Sequence, residues 1–143
     1  TVEISILLYV AFNAIHALTS YPLGGLSDRV GRRKLLVFGY AAYGLVYLGF
    51  ALAPDKSVLW ALFPAYGLYL GATEGVEKAF LSDMAPSHLK ATVIGLHATL
   101  VGVALLPASI VAGLLWSLLG PTATFLFGSA AGLLAAAALW TIR

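Results

Sequence analysis

The chain has 143 residues, about the length of one domain, and 61% of them are hydrophobic, against roughly 45–50% in soluble domains. Asp, Glu, Lys and Arg together make up only 10%, against an average of about 25%. So few charges cannot keep a globule of this size in solution, and the composition therefore excludes a soluble enzyme or binding domain. The absence of cysteine from the sequence also excludes a disulfide framework and thiolate metal ligands.

Long charge-free stretches predict five transmembrane helices, because about 20 helical residues cross ~30 Å of hydrocarbon. The predicted spans are residues 4–26, 35–53, 58–84, 91–119 and 122–142. Turn residues separate them: the charged segment 27–34 around Gly31, the segment 54–57 with Ser57 as a candidate N-cap, Pro86-Ser87, and Gly120-Pro121. The expected fold class is all-α, a polytopic membrane bundle.

Basic residues fall unequally on the two sides of this predicted bundle. The loops after the first and third spans share one side with the C-terminus, and that side carries Arg29, Arg32, Arg33, Lys34, Lys90 and Arg143. The other side carries only Lys56. The positive-inside rule therefore predicts a multi-pass protein of the cell (inner) membrane, with the N-terminus of the chain outside and the C-terminus in the cytoplasm.

Ionisable residues inside the spans are candidate functional groups, since a charge in hydrocarbon costs at least ~2.5–3.5 kcal/mol. The third span carries Glu74, Glu77 and Lys78. At about 100° per residue, Glu74 and Lys78 share a helical face with Gly67 and Gly71, which predicts that both side chains face the bundle interior. Two interpretations stay open: an ion pair that fixes packing, and a charge pair that lines a substrate or proton pathway.

The first span places Asn13 and His16 near its middle. A histidine there can exchange protons near neutral pH, or it can remain neutral in an interhelical hydrogen bond. Asn13 and His16 therefore join the three charged residues of the third span as candidates for the pathway. No spacing of His, Glu or Ser matches a metal, catalytic or nucleotide-binding motif, so no metal, cofactor or enzymatic activity is expected. The basic loop satisfies the topology rule without a nucleic-acid partner.

One segment carries a specific motif. Residues 24–36 read Gly-Gly-Leu-Ser-Asp-Arg-Val-Gly-Arg-Arg-Lys-Leu-Leu, which matches G-x-L-[AS]-D-R-x-G-R-[RK]-x-x-L at every specified position. This segment resembles the cytoplasmic loop signature of the major facilitator superfamily of transporters. The pattern covers thirteen residues between two predicted spans, on the predicted cytoplasmic side, so it is far more specific than a single short motif.

Each part of the motif has a physical interpretation. Gly24 permits close helix contact, Asp28 ends a helix, Gly31 turns the chain, and Arg32 and Arg33 offer forked donors to carboxylates. By this resemblance the expected cytoplasmic gating motif consists of Gly24, Asp28, Arg29, Gly31, Arg32, Arg33 and Asp83. Within it, Asp28, Arg32 and Asp83 are predicted to form a charge latch, and Asp28 is expected to face a helix N-terminus in a missing half as well.

The resemblance implies twelve helices in two halves that rock around a central site. Five spans with the N-terminus outside fit either helices two to six or helices eight to twelve of such a transporter. The chain is expected to be a fragment, and helices eight to twelve in the C-terminal half of a bacterial member are the favoured assignment. Its expected partners are the lipid bilayer, the missing N-terminal half, a small-molecule substrate and protons. The expected function is secondary transport, with proton-coupled efflux as the first candidate. The alternatives are a facilitator of sugars or metabolites and a non-transporting membrane assembly module.

Overall fold

The computed structural model describes residues 2–53 and 55–141, and within those ranges every regular element is helical. This confirms the predicted all-α class. Five long helices occupy the five predicted segments. They are α1 (Val2–Val30), α2 (Arg32–Leu52), α3 (Leu59–Met84), α4 (Lys90–Leu119) and α5 (Pro121–Thr141), and a short 3₁₀ turn (Lys56–Val58) precedes α3.

The first break is much shorter than the sequence suggested. We expected a loop over residues 27–34, but α1 continues to Val30 and α2 begins at Arg32, so that Gly31 alone separates them. Charged side chains at a water-facing helix end do not oppose helix formation, whereas the positive φ of Gly31, 101°, does. Asp28 consequently lies in the last turn of α1 rather than beyond it. Gly120, with a φ of 85°, separates α4 from α5 in the same way, as predicted.

The prediction that Ser57 caps the third helix is wrong. Asp55 is the capping residue, and its carboxylate accepts a 2.7 Å hydrogen bond from the Ser57 amide and a second one from the Ser57 hydroxyl. The aspartate precedes the 3₁₀ turn, whose first amides have no backbone partner. The hydroxyl and amide hydrogen bonds both favour the ionised carboxylate and lower the pKa of Asp55.

The helices pair with partners that are not their neighbours in sequence. α1 packs mainly on α3 and α2 mainly on α5, while α2 and α3 join the two pairs. Glycines permit the close approach: Gly67 of α3 lies against the backbone of Phe12 in α1. Between α2 and α5, the Ser129 hydroxyl donates a 2.7 Å hydrogen bond to the Gly44 carbonyl. These contacts form the core of a four-helix layer in the order α1, α3, α2, α5.

The remaining helix, α4, lies outside this four-helix layer. It contacts α5 and α3 but has no buried residue. Its Gly95, Gly102 and Gly113 have no neighbouring atom where a side chain would begin. α4 therefore leaves these three glycine positions open within the described part of the chain.

Four of the five helices are long and apolar enough to cross a membrane, namely α1, α2, α4 and α5. α3 has 26 residues, but four charged residues lie near its C-terminal end: Glu74, Glu77, Lys78 and Asp83. The helix with the most charges thus lies between α1 and α2, where protein covers much of its surface.

Candidate functional site

The Arg32 guanidinium joins the ends of three helices. Its Nη2 lies 2.9 Å from Oδ1 of Asp28 in the last turn of α1, and its Nη1 lies 2.7 Å from Oδ2 of Asp83 near the end of α3. Nη1 also donates a 2.7 Å hydrogen bond to the Ala79 carbonyl. The structure therefore brings together the three residues of the expected latch. Because Gly31 turns the chain within one residue, Arg32 begins α2 beside the end of α1.

Arg33 has a different partner from the one we expected. We predicted that it would bind carboxylates, but its Nε and Nη2 donate to the carbonyls of Leu139 and Trp140, at 3.0 and 2.8 Å. These carbonyls belong to the last turn of α5, and the last four carbonyls of a helix receive no hydrogen bond from an amide of the same helix. A guanidinium is also favourable at the negative end of a helix dipole. Two consecutive arginines thus bind different helix ends.

Two other residues of the expected gating motif have fewer contacts. Gly24 has no neighbouring atom where a side chain would begin, so its predicted close helix contact is absent from the described residues. Arg29 is exposed and forms no ion pair with a described residue. We call the surface formed by Asp28, Gly31, Arg32, Arg33 and Asp83 the motif end of the bundle.

Within the spans, His16 and Glu74 form a contact that the sequence did not predict. His16 Nε2 of α1 lies 3.2 Å from Glu74 Oε2 of α3. The other carboxylate oxygen, Glu74 Oε1, lies 3.7 Å from Lys78 Nζ, the pair that the four-residue spacing predicted. The ring of Phe12 stacks on the His16 imidazole with centroids 6.3 Å apart. His16, Glu74 and Lys78 therefore form one connected group, which we call the embedded triad.

The prediction that Glu74 and Lys78 face the interior is wrong for this five-helix unit. Their side chains are 51% and 58% exposed, while that of His16 is 25% exposed. The embedded triad lies on an open face of the α1–α3 pair. Gly67 and Gly71, on the same side of α3, are buried against α1. The angles around α3 therefore predicted the positions of the two glycines correctly. The longer side chains of Glu74 and Lys78 extend past the α1–α3 contact and are exposed.

The remaining candidates lie apart from the embedded triad. Glu77 turns toward α2, where the Tyr40 hydroxyl donates a 2.5 Å hydrogen bond to Glu77 Oε1. The Asn13 amide is exposed and donates to the Tyr9 carbonyl of its own helix at 2.8 Å. The two glutamates thus have different environments, one beside a histidine and a lysine and the other beside a tyrosine.

A family model described as Major Facilitator Superfamily matches residues 1–143. The chain belongs to the major facilitator superfamily. An uncharacterized MFS-type transporter of Methanocaldococcus jannaschii is 44% identical over 126 residues, which cover 88% of this chain and 31% of that protein.

More distant relatives include a D-xylose transporter of Levilactobacillus brevis, 33% identical over 62% of this chain and 19% of that protein. A multidrug transporter of Candida glabrata is 26% identical over 66% of this chain and 15% of that protein. The chain thus spans about a third or less of the length of these relatives. Together with the apolar helices, membership of the superfamily makes it a multi-pass membrane protein.

Sequence reasoning missed two residues of this superfamily member that complete the local geometry. Tyr40 binds Glu77, and Phe12 stacks on His16. Both are aromatic residues inside apolar helices, a pattern that is more typical of packing than of a site. Only the relative positions of α1, α2 and α3 distinguish them from the other aromatic residues of the bundle.

Proposed function

We propose that this chain is part of a secondary transporter that moves a small molecule across the cell membrane by alternating access. Superfamily membership over the whole chain supports it, and so does α4, which has no residue buried by the described part of the chain, since rocking halves need a second unit to close the site. The five helices correspond to helices eight to twelve in this proposal. The excess of basic residues at the motif end supports a cytoplasmic location for that end.

The embedded triad is the proposed site of proton coupling. An imidazole 3.2 Å from a carboxylate on an open face of membrane helices can pass a proton to it or release one to water. Lys78 Nζ lies 3.7 Å from the other oxygen of Glu74, so a proton passed from His16 would arrive at a carboxylate that a cation also contacts. The observation that carries the proposal is this His16–Glu74 contact between two helices.

Proton coupling predicts that a pH gradient drives accumulation. The full-length transporter is reconstituted in liposomes, and candidate sugars and amphiphilic drugs are followed with and without a one-unit pH gradient. The expected result is accumulation of one class against its gradient, up to about tenfold for one proton carried per substrate. Equal internal and external substrate concentrations in the presence of the pH gradient would reject proton coupling.

A facilitator of sugars or metabolites is the second candidate function, and the likeness to a D-xylose transporter favours a sugar as its substrate. The same liposomes separate the two candidates. A facilitator equilibrates substrate at the same rate and to the same level with and without the pH gradient, whereas a coupled transporter does not. Failure to move any tested sugar, metabolite or drug would favour a non-transporting assembly module.

The contact of Arg32 with Asp28 and Asp83 is the proposed conformational latch. We expect Arg32→Ala to release the ends of α1 and α3 and shift the equilibrium toward states open to the cytoplasm. A cysteine introduced at Ser27, which is 2% exposed, should then react severalfold faster with a membrane-impermeant maleimide. Lys90→Ala removes a charge at the start of α4 without removing an ion pair to a described residue. Equal labelling rates in the two variants would contradict the latch.

A further inference from the structure

A cavity of about 1030 Å³ lies at the motif end and opens to the surface. It lies between the end of α1, the start of α2, and the ends of α3 and α5. Apolar side chains form one wall: Val30, Val37, Phe80 and Trp140. Charged side chains of the motif form the other wall, so that the cavity is amphipathic. The helices around it are membrane spans or packed between them, and their ends define the depth of the bilayer surface.

Some of the charged side chains that line the cavity have a partner of opposite charge and others do not. Asp28 and Asp83 are both engaged by Arg32, so these three charges compensate one another. Arg33 is held by two neutral carbonyls and has no carboxylate partner among the described residues. Lys34 is exposed, lines the same cavity, and forms no ion pair with a described residue. Two adjacent cations are therefore left to bind an anion.

We propose that this cavity binds the phosphate of an anionic phospholipid from the adjacent leaflet, with Lys34 and Arg33 as the cationic ligands. Arginine and lysine both bind phosphate oxygens through charge-assisted hydrogen bonds. Basic pockets between helices at the membrane surface suit lipid head groups, and tryptophan is favoured at this depth. The apolar wall favours a lipid over a soluble phosphate, because it can cover the glycerol and the first methylenes of a lipid.

This site goes beyond the proposed transport function and does not depend on it. The embedded triad lies within the spans, whereas the cavity lies at the helix ends. Loss of transport in a variant would therefore say nothing about lipid binding, and lipid binding is measured directly.

The test uses the full-length transporter in detergent, titrated with phosphatidylglycerol while native mass spectrometry counts the bound lipid. Phosphatidylcholine is titrated in parallel, since its choline compensates the phosphate. We expect tighter binding of phosphatidylglycerol, weakened about fivefold by Lys34→Ala, the factor that one basic group contributes at an anionic surface. Lys34→Arg should restore it, and Lys90→Ala, at the same end but outside the cavity, should leave it unchanged.

Four results would overturn the proposal. Equal binding of the two lipids by the unaltered transporter would show that no site selects the anionic head group, as would equal losses in Lys34→Ala and Lys90→Ala. Displacement of the lipid by millimolar inorganic phosphate would assign the cations to a soluble phosphate compound. No retained lipid at all would mean that another segment of the chain covers the cavity. Arg33→Ala gives supporting evidence only, because it also removes the two hydrogen bonds to the end of α5, so a loss of lipid binding would have two causes.

Discussion

Glu74→Gln is expected to abolish accumulation driven by a pH gradient in the full-length transporter. Glutamine keeps the size of Glu74 and one acceptor oxygen but has no carboxylate to take up a proton, so coupling through the His16–Glu74 contact is lost. The ratio of internal to external substrate should fall to unity, while exchange of labelled for unlabelled substrate continues. Both are measured in liposomes with and without a pH gradient. His16→Gln should give the same result.

Glu77→Gln is the matched control, on the same helix and of the same chemistry. Its amide oxygen can still accept the hydrogen bond from Tyr40, so accumulation should persist. Loss of accumulation in Glu77→Gln with normal accumulation in Glu74→Gln would move the coupling site to the α2–α3 contact. Normal accumulation in both variants and in His16→Gln would leave the embedded triad with a packing role only.

Gly67→Ala is expected to destabilise the protein although alanine is the better helix former. The new Cβ would lie 2.6 Å from the Phe12 carbonyl oxygen, a backbone atom that cannot rotate away. Overpacking costs about 1–3 kcal/mol, whereas replacing a helical glycine by alanine contributes roughly 0.8–1.0 kcal/mol in return. A lower melting temperature of the detergent-solubilised transporter, read by intrinsic fluorescence, is the expected result.

Gly75→Ala supplies the comparison, because it lies two turns further along α3 and has no neighbouring atom where its side chain would begin. Only the helix-propensity gain applies there, so the melting temperature should stay equal or rise. If both substitutions lower it equally, the α1–α3 contact at Gly67 is not what limits stability. If neither lowers it, α1 can move away from α3 at little cost.

The fold was largely predictable because its determinants are local. Charge-free stretches of span length and the turns at Gly31 and Gly120 depend on short segments, and five helices follow from them. The Glu74–Lys78 pair was predictable for the same reason, since four residues make one helical turn. The exact end of α1 was not, because the charged residues of the motif suit a helix end and a loop equally well.

The candidate site was predictable only in its residues. His16 and Glu74 were both predicted to be functional residues. Their contact depends on the position of α1 along the axis of α3, and the angle of a residue around its own helix gives no information about that position. Arg33 was expected to bind carboxylates, because a sequence shows which side chains carry the opposite charge. Its actual partners are backbone carbonyls 106 and 107 residues away, and a backbone carbonyl looks the same at every position.

The pairing of α1 with α3 and of α2 with α5 has a consequence for biosynthesis. Ser129 and Gly44, which hydrogen bond across the α2–α5 contact, are 85 residues apart in the chain. At about 5–20 residues per second, a ribosome makes the second partner roughly 4–17 s after the first. α2 must therefore wait in the bilayer or at the insertion machinery with its Gly44 surface uncovered. Any factor that shields nascent membrane helices would act on this protein during that interval, before α5 arrives.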